Sequence, residues 1–134
     1  MVRNVLTIGV LAGMLLTGGG CSSSQVPDVT AASELFYASL GQSDAGEACR
    51  LLSPAARSEL EQSSGQGCPD ALLEEELPAA DDVASAQVYG TMAIVTTGKD
   101  TMFLSRFRDG WLVTAVGCQP IGHADLYDCS VTGS

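Results

Sequence analysis

Apolar residues recur along this chain with two different periods. From residue 29 to residue 77 they return every three or four positions, the mark of amphipathic helices. Val29, Ala32, Phe36 and Leu40 share one face of a first helix, with Leu35 beside them, and Gly41 closes it. Asp44 followed by Glu47 three residues later is a capping-box pattern. It starts a second helix through Cys49, Leu51 and Leu52. Ser53-Pro54 starts a third, with Ser as cap and Pro at the first helical position. That helix turns Ala56 and Leu60 inward and carries Arg57, Glu59 and Glu61 on its surface. After the loop Ser63-Ser64-Gly65-Gln66-Gly67, a fourth helix begins at Cys68-Pro69-Asp70. It runs through Leu72, Leu73 and Leu77 and is closed by Pro78.

Beyond Asp82 the period shortens to two. Val83 to Tyr89, Met92 to Thr97, Thr101 to Phe107 and Trp111 to Gly117 read as four strands. Their connections are short: Gly90-Thr91, Gly98-Lys99-Asp100 and Asp109-Gly110. Asp-Gly between apolar runs is a strong hairpin signal, and a two-residue turn there sets Arg108 opposite Trp111 and Phe107 opposite Leu112. Connections this short make the sheet an antiparallel meander. Residues 119–134 are polar and turn-rich and read as a tail. The expected fold is therefore α+β: three to four helices, then a four-stranded antiparallel sheet, over residues 29–118.

The first twenty residues lie outside this pattern. Arg3 precedes a 12-residue apolar run, Val5 to Leu16, too short for the roughly 20 residues of a spanning helix. Thr17-Gly18-Gly19-Gly20-Cys21 follows, and then Ser22-Ser23-Ser24-Gln25. Small residues before a Cys at the end of an apolar run resemble the lipobox of bacterial lipoproteins, although Gly18 stands where an aliphatic residue is usual. The resemblance implies cleavage before Cys21, diacylglycerol and palmitate-type acylation of that residue, and a domain held on the extracytoplasmic face of the cell membrane. Residues 21–28 then read as the acylated Cys and a flexible tether. Two acyl chains make such anchoring stable, since each buried methylene contributes about 0.8 kcal/mol.

The chain has 134 residues, with 6 Lys+Arg against 16 Asp+Glu and a net charge of −10. Loss of residues 1–20 removes Arg3 and no acid, leaving five cations against 16 acids. No cationic cluster is available for nucleic acid. An anionic domain is expected to stand off an anionic membrane on its tether.

With Cys21 set aside, Cys49, Cys68, Cys118 and Cys129 remain, and four Cys allow three pairings. Export puts them in an oxidising compartment. We favour the sequence-local pairing, Cys49–Cys68 and Cys118–Cys129. It joins the second helix to the fourth and folds the tail back on the last strand. Zinc spacings and CxxC are absent, so no metal and no cofactor is expected. Glu74-Glu75-Glu76 and Asp81-Asp82 lack the spacing of a calcium loop and read as solvated charge.

The order of elements, and the run Thr101-Met102-Phe103-Leu104-Ser105-Arg106-Phe107-Arg108-Asp109-Gly110-Trp111-Leu112-Val113, resemble the nuclear transport factor 2-like superfamily. Small actinobacterial lipoproteins of that shape carry a Gly-Cys after the last strand, as Gly117-Cys118 does here. The resemblance implies a cone in which a curved sheet wraps a helix, with a pocket between them that enzymes and binding proteins of the superfamily share. The superfamily's catalytic Asp, Tyr and His–Asp pairs find no counterpart at corresponding positions, so no catalytic residue is assigned. Arg106 is the only charge within a strand, and His123 and Asp125 alternate in the tail. These three are the candidate pocket residues. Trp111 and Tyr89 are expected in the core or at its rim. The expected function is non-catalytic: an anchored envelope domain binding a protein partner or a small apolar ligand. The alternatives are an isomerase- or dehydratase-like enzyme using the cone pocket, and a structural accessory of an envelope complex.

Overall fold

The computed structural model describes residues 23–78, 82–123 and 125–133; the export segment and Cys21 lie outside them. A short 3₁₀ turn, Ser23–Gln25, leads into α1 (Val26–Gly41), α2 (Ala45–Leu51), α3 (Pro54–Ser64) and α4 (Cys68–Glu74). Five strands follow: β1 (Val83–Tyr89), β2 (Met92–Thr97), β3 (Thr101–Phe107), β4 (Gly110–Pro120) and β5 (Tyr127–Thr132). They form one antiparallel sheet in sequence order.

The local signals act where the sequence places them. The Asp44 carboxylate accepts from Glu47 N–H at 3.0 Å, and Ser53 Oγ accepts from Ala56 N–H at 3.2 Å. Each relieves an orphan donor in the first turn of its helix. Pro54 and Pro69 fall in the first turns of α3 and α4, where their missing N–H costs nothing. The first three strands have the expected limits.

Four expectations are corrected. The helix begins at Val26 rather than Val29, and residues 23–25 are already wound, so the tether expected over 21–28 is largely helix. Pro27 suits a first turn, and Asp28 favours the positive end of the helix dipole. On α1 the buried residues are Val29, Ser33, Phe36, Tyr37 and Ser39, whereas Leu35 is exposed. The serines pass as core residues because each hydroxyl donates to the carbonyl four residues back, Ser33 to Val29 and Ser39 to Leu35. Helix α4 stops at Glu74, short of Leu77. The β3–β4 turn is Arg108-Asp109, with Phe107 opposite Gly110 and Arg106 opposite Trp111. Gly110 itself takes a φ of 117°, which only glycine adopts freely, so it serves as the first residue of β4.

The sheet also gains a strand. The region read as a tail contains β5, paired to β4 from Ala115–Thr132 to Pro120–Tyr127. Both disulfides form as expected. Cys49–Cys68 joins α2 to α4, and Cys118–Cys129 links directly opposed residues of β4 and β5.

One face of the sheet meets the helices. Ala93, Val95, Met102, Leu104, Trp111 and Val113 share a buried cluster with Val29, Phe36, Ala48, Leu52 and Leu72. Helix α1 spans this face and is fixed at both ends. At its start Gln25 Oε1 accepts from Arg106 at 2.9 Å, and near its end the Tyr37 hydroxyl donates to Asp100 at 2.6 Å. The chain also bridges layers where Ser53 N–H donates to Val113 C=O at 2.8 Å.

Candidate functional site

Strand direction separates the candidate pocket residues. Arg106 lies at the end of the sheet that holds the β1–β2 and β3–β4 turns. It is exposed, and its guanidinium bonds Gln25. His123 and Asp125 lie in the β4–β5 connection at the opposite end, and both are exposed. The structure therefore does not gather Arg106, His123 and Asp125 around one cavity. Trp111 is buried, as expected of a core residue, and Tyr89 is an exposed rim residue.

The polar centre that the fold does build is Tyr37–Asp100. Asp100 closes the β2–β3 turn. Its N–H is held by Thr97 Oγ1 at 3.0 Å, and its C=O accepts from Thr97 N–H at 2.8 Å. The register of β4 slips twice against β3, between Thr101 and Phe103 and between Phe103 and Leu104. The resulting bulges turn successive backbone N–H groups toward the turn. Gly117 N–H and Cys118 N–H donate to the two oxygens of Asp100 at 3.1 and 2.8 Å, and Tyr37 adds the third donor. Gly117 takes a φ of 70°, and a Cβ there would lie 2.8 Å from the side chains of Leu77 and Ser130.

This constellation combines an acid, a phenol and paired amides, the groups of an acid–base site. Its geometry makes it structural. Asp100 is 5% exposed and Tyr37 2%, and the donors surround the carboxylate with no approach for a substrate. Burial, and then the hydrogen bond and charge of Asp100, hold the Tyr37 hydroxyl far above its ordinary range. A phenol held in this way stays protonated near neutral pH. Sequence reading missed the pair because its members lie 63 residues apart, and an Asp after Gly-Lys in a hairpin looks like a turn residue.

Two concavities lie beside α3. A notch of about 100 Å³ lies between α3 and β5, lined by Glu59, Leu60, Ser63, Ser130, Val131 and Thr132. A wider depression lies along one side of α3, over Ala55, Ser58, Glu59 and Gln62. Small-molecule sites are usually concave and mostly apolar, of about 300–1,000 Å³. The notch falls below that size, and the depression is polar. Among the described residues, no three His, Cys, Asp or Glu side chains gather as metal ligands.

The sheet's other face is the larger surface feature. Opposite Ala93 and Val95, β2 presents Met92 and Ile94. Register places Gln87, Ile94 and Phe103 in one row and Tyr89, Met92, Ser105 and Leu112 in the next. Ile94, Phe103 and Leu112 are half-buried, while Tyr89, Met92 and Phe107 are exposed. The Phe103 ring meets that of Tyr127 edge-on, centroids 5.0 Å apart. These two rows contain no acidic or basic side chain, in a chain of net charge −10.

Comparison of the chain with family models, curated proteins and solved structures finds no match.

Proposed function

We propose that this chain is an exported, lipid-anchored envelope protein that performs no reaction of its own and holds a protein partner against the uncharged face of its sheet. Cys21 is its lipid attachment residue and the extracytoplasmic face of the cell membrane its place. The two cross-links, which suit an oxidising compartment, support export. The order of four helices and an antiparallel sheet supports the resemblance to the nuclear transport factor 2-like superfamily.

The observation that carries the binding reading is the contrast between the two faces of the sheet. One is sealed by helices over a continuous core. The other presents exposed Gln87 with half-buried Ile94, Phe103 and Leu112, with no acid or base among them. Extended apolar surface rimmed by polar groups is characteristic of association sites. Among the other readings, small-ligand binding and isomerase- or dehydratase-type catalysis call for a mostly apolar cleft, and the two concavities beside α3 are a small notch and a polar depression.

A photo-cross-linking residue at position 94 tests this in the native envelope, with position 61 on α3 as the control. The expected result is a discrete protein adduct from position 94 and none from position 61, abolished by Gln87→Lys directly opposite Ile94 on the same face. Equal labelling from both positions, or none from 94 in membrane-bound protein, would contradict the proposal.

A further inference from the structure

We infer that the end of the sheet where the chain enters the domain rests directly on the lipid surface, so that the domain stands upright on its anchor rather than floating on a tether. This inference rests on the reading of Cys21 as the acylated residue. Winding of the backbone begins at Ser23, two residues after Cys21. Two residues reach about 7 Å at full extension. That is about the depth of one headgroup layer, so the first turn of the domain is held at the interface.

The structure shows what that end carries. Gln25 is bonded to Arg106, and Arg106 N–H donates to Thr91 C=O at 2.8 Å, which fixes the chain's entry beside both hairpin turns at this end. Around them stand Tyr89, Met92 and Phe107, exposed by 59%, 57% and 40%. An aromatic with a polar tip, a flexible thioether and a phenyl ring beside Arg106 and Arg108 suit the headgroup boundary. There, amphipathic rings settle and arginines keep their charge in water while their stems lie along apolar surface.

Charge points the same way. At this end Arg106 and Arg108 offset Asp28 and Asp109. At the opposite end Asp82, Asp125 and Asp128 stand with Lys99. The molecule therefore turns its more neutral end toward an anionic membrane and its more acidic end away. In this orientation α1 runs away from the bilayer, and the middle of the uncharged sheet face stays open sideways.

Fluorescence quenching by lipids with brominated chains tests the orientation. Full-length protein extracted from its own membranes is reconstituted in vesicles of phosphatidylcholine and phosphatidylglycerol. Met92→Trp is compared with Leu126→Trp, an exposed position at the far end, each corrected for Trp111 in the parent protein. The expected result is loss of about half the emission from the indole introduced at position 92, with little loss at 126, since interfacial groups enter about 5–10 Å. Equal quenching at both positions, or stronger quenching at 126, overturns the orientation. The intact mass of the same preparation separates the two claims. A lipid-bearing Cys21 with equal quenching sinks only the orientation, whereas an unmodified Cys21 sinks the anchor and the orientation with it.

Discussion

Removing the Asp100 carboxylate strands three donors at once, the Tyr37 hydroxyl and the amides of Gly117 and Cys118. Each buried donor left without a partner costs about 1–3 kcal/mol. Asp100→Ala is therefore expected to lower stability by about 3–5 kcal/mol in urea unfolding of the oxidised protein. Tyr37→Phe, which removes one donor and leaves the amides paired, is expected to cost about 1.5–3 kcal/mol. Equal losses in the two variants would show that the amides do not depend on the carboxylate. Tyr37 also sets an alkaline limit. Below about pH 10 its hydroxyl is protonated in both folded and unfolded chains, and its full contribution is present. Above that, the unfolded chain releases the proton while the folded one keeps it, so stability falls as pH rises toward the raised folded value. One such proton gives a slope of about 1.4 kcal/mol per pH unit, and Tyr37→Phe should be shallower by that amount in denaturant titrations between pH 10 and 11.5. None of this was legible in the sequence. Helical spacing put Tyr37 next to a core position without naming its partner, and the bulges that aim the amides depend on how two strands pair.

Caps and strand limits were legible because they are decided within a few residues. Asp44 and Ser53 reach donors three positions on, and Gly90-Thr91 leaves β1 and β2 little choice of register. Strand β5 was hidden by its composition. Tyr127, Cys129 and Val131 alternate with Asp128, Ser130 and Thr132, a period-two pattern with polar content high enough to read as a tail. The turn at Arg108-Asp109 went differently because Gly110 was needed at positive φ inside the pairing, not in the loop. Strand β4 offers a test of its bends. Gly117 and Gly90 have nearly the same φ, 70° and 64°, but only Gly117 is crowded, by Leu77 and Ser130. Gly90→Ala is expected to cost about 1 kcal/mol, the backbone penalty alone. Gly117→Ala is expected to cost about 2–4 kcal/mol, because the clash adds to that penalty and pushes on the Asp100 site. Chemical denaturation compares them, and equal costs would mean that the packing around Gly117 yields freely. The α2–α4 cross-link closes a separation of 19 residues. Replacing both partners, Cys49→Ala with Cys68→Ala, should remove about 3 kcal/mol in the same assay.

At the scale of the molecule, a short α+β domain is sealed on one side and open on the other, and its first helix starts almost at the residue proposed to carry lipid. The fold class, the helix count and both cross-links could be read from pattern and spacing. The candidate pocket could not. Arg106, His123 and Asp125 were joined by their chemistry, and strand direction puts them at opposite ends. What the domain binds depends on the shape of its uncharged face, which alternation along single strands does not convey. The account as a whole depends on Cys21 differing from the other four cysteines. Intact-mass analysis of protein extracted from its own membranes tests that most directly. The account predicts a chain that begins at Cys21, carries the added mass of a diacylglycerol, and lacks four hydrogens for the two cross-links. A full-length chain from Met1 in the soluble fraction, with all five thiols open to alkylation, would contradict it.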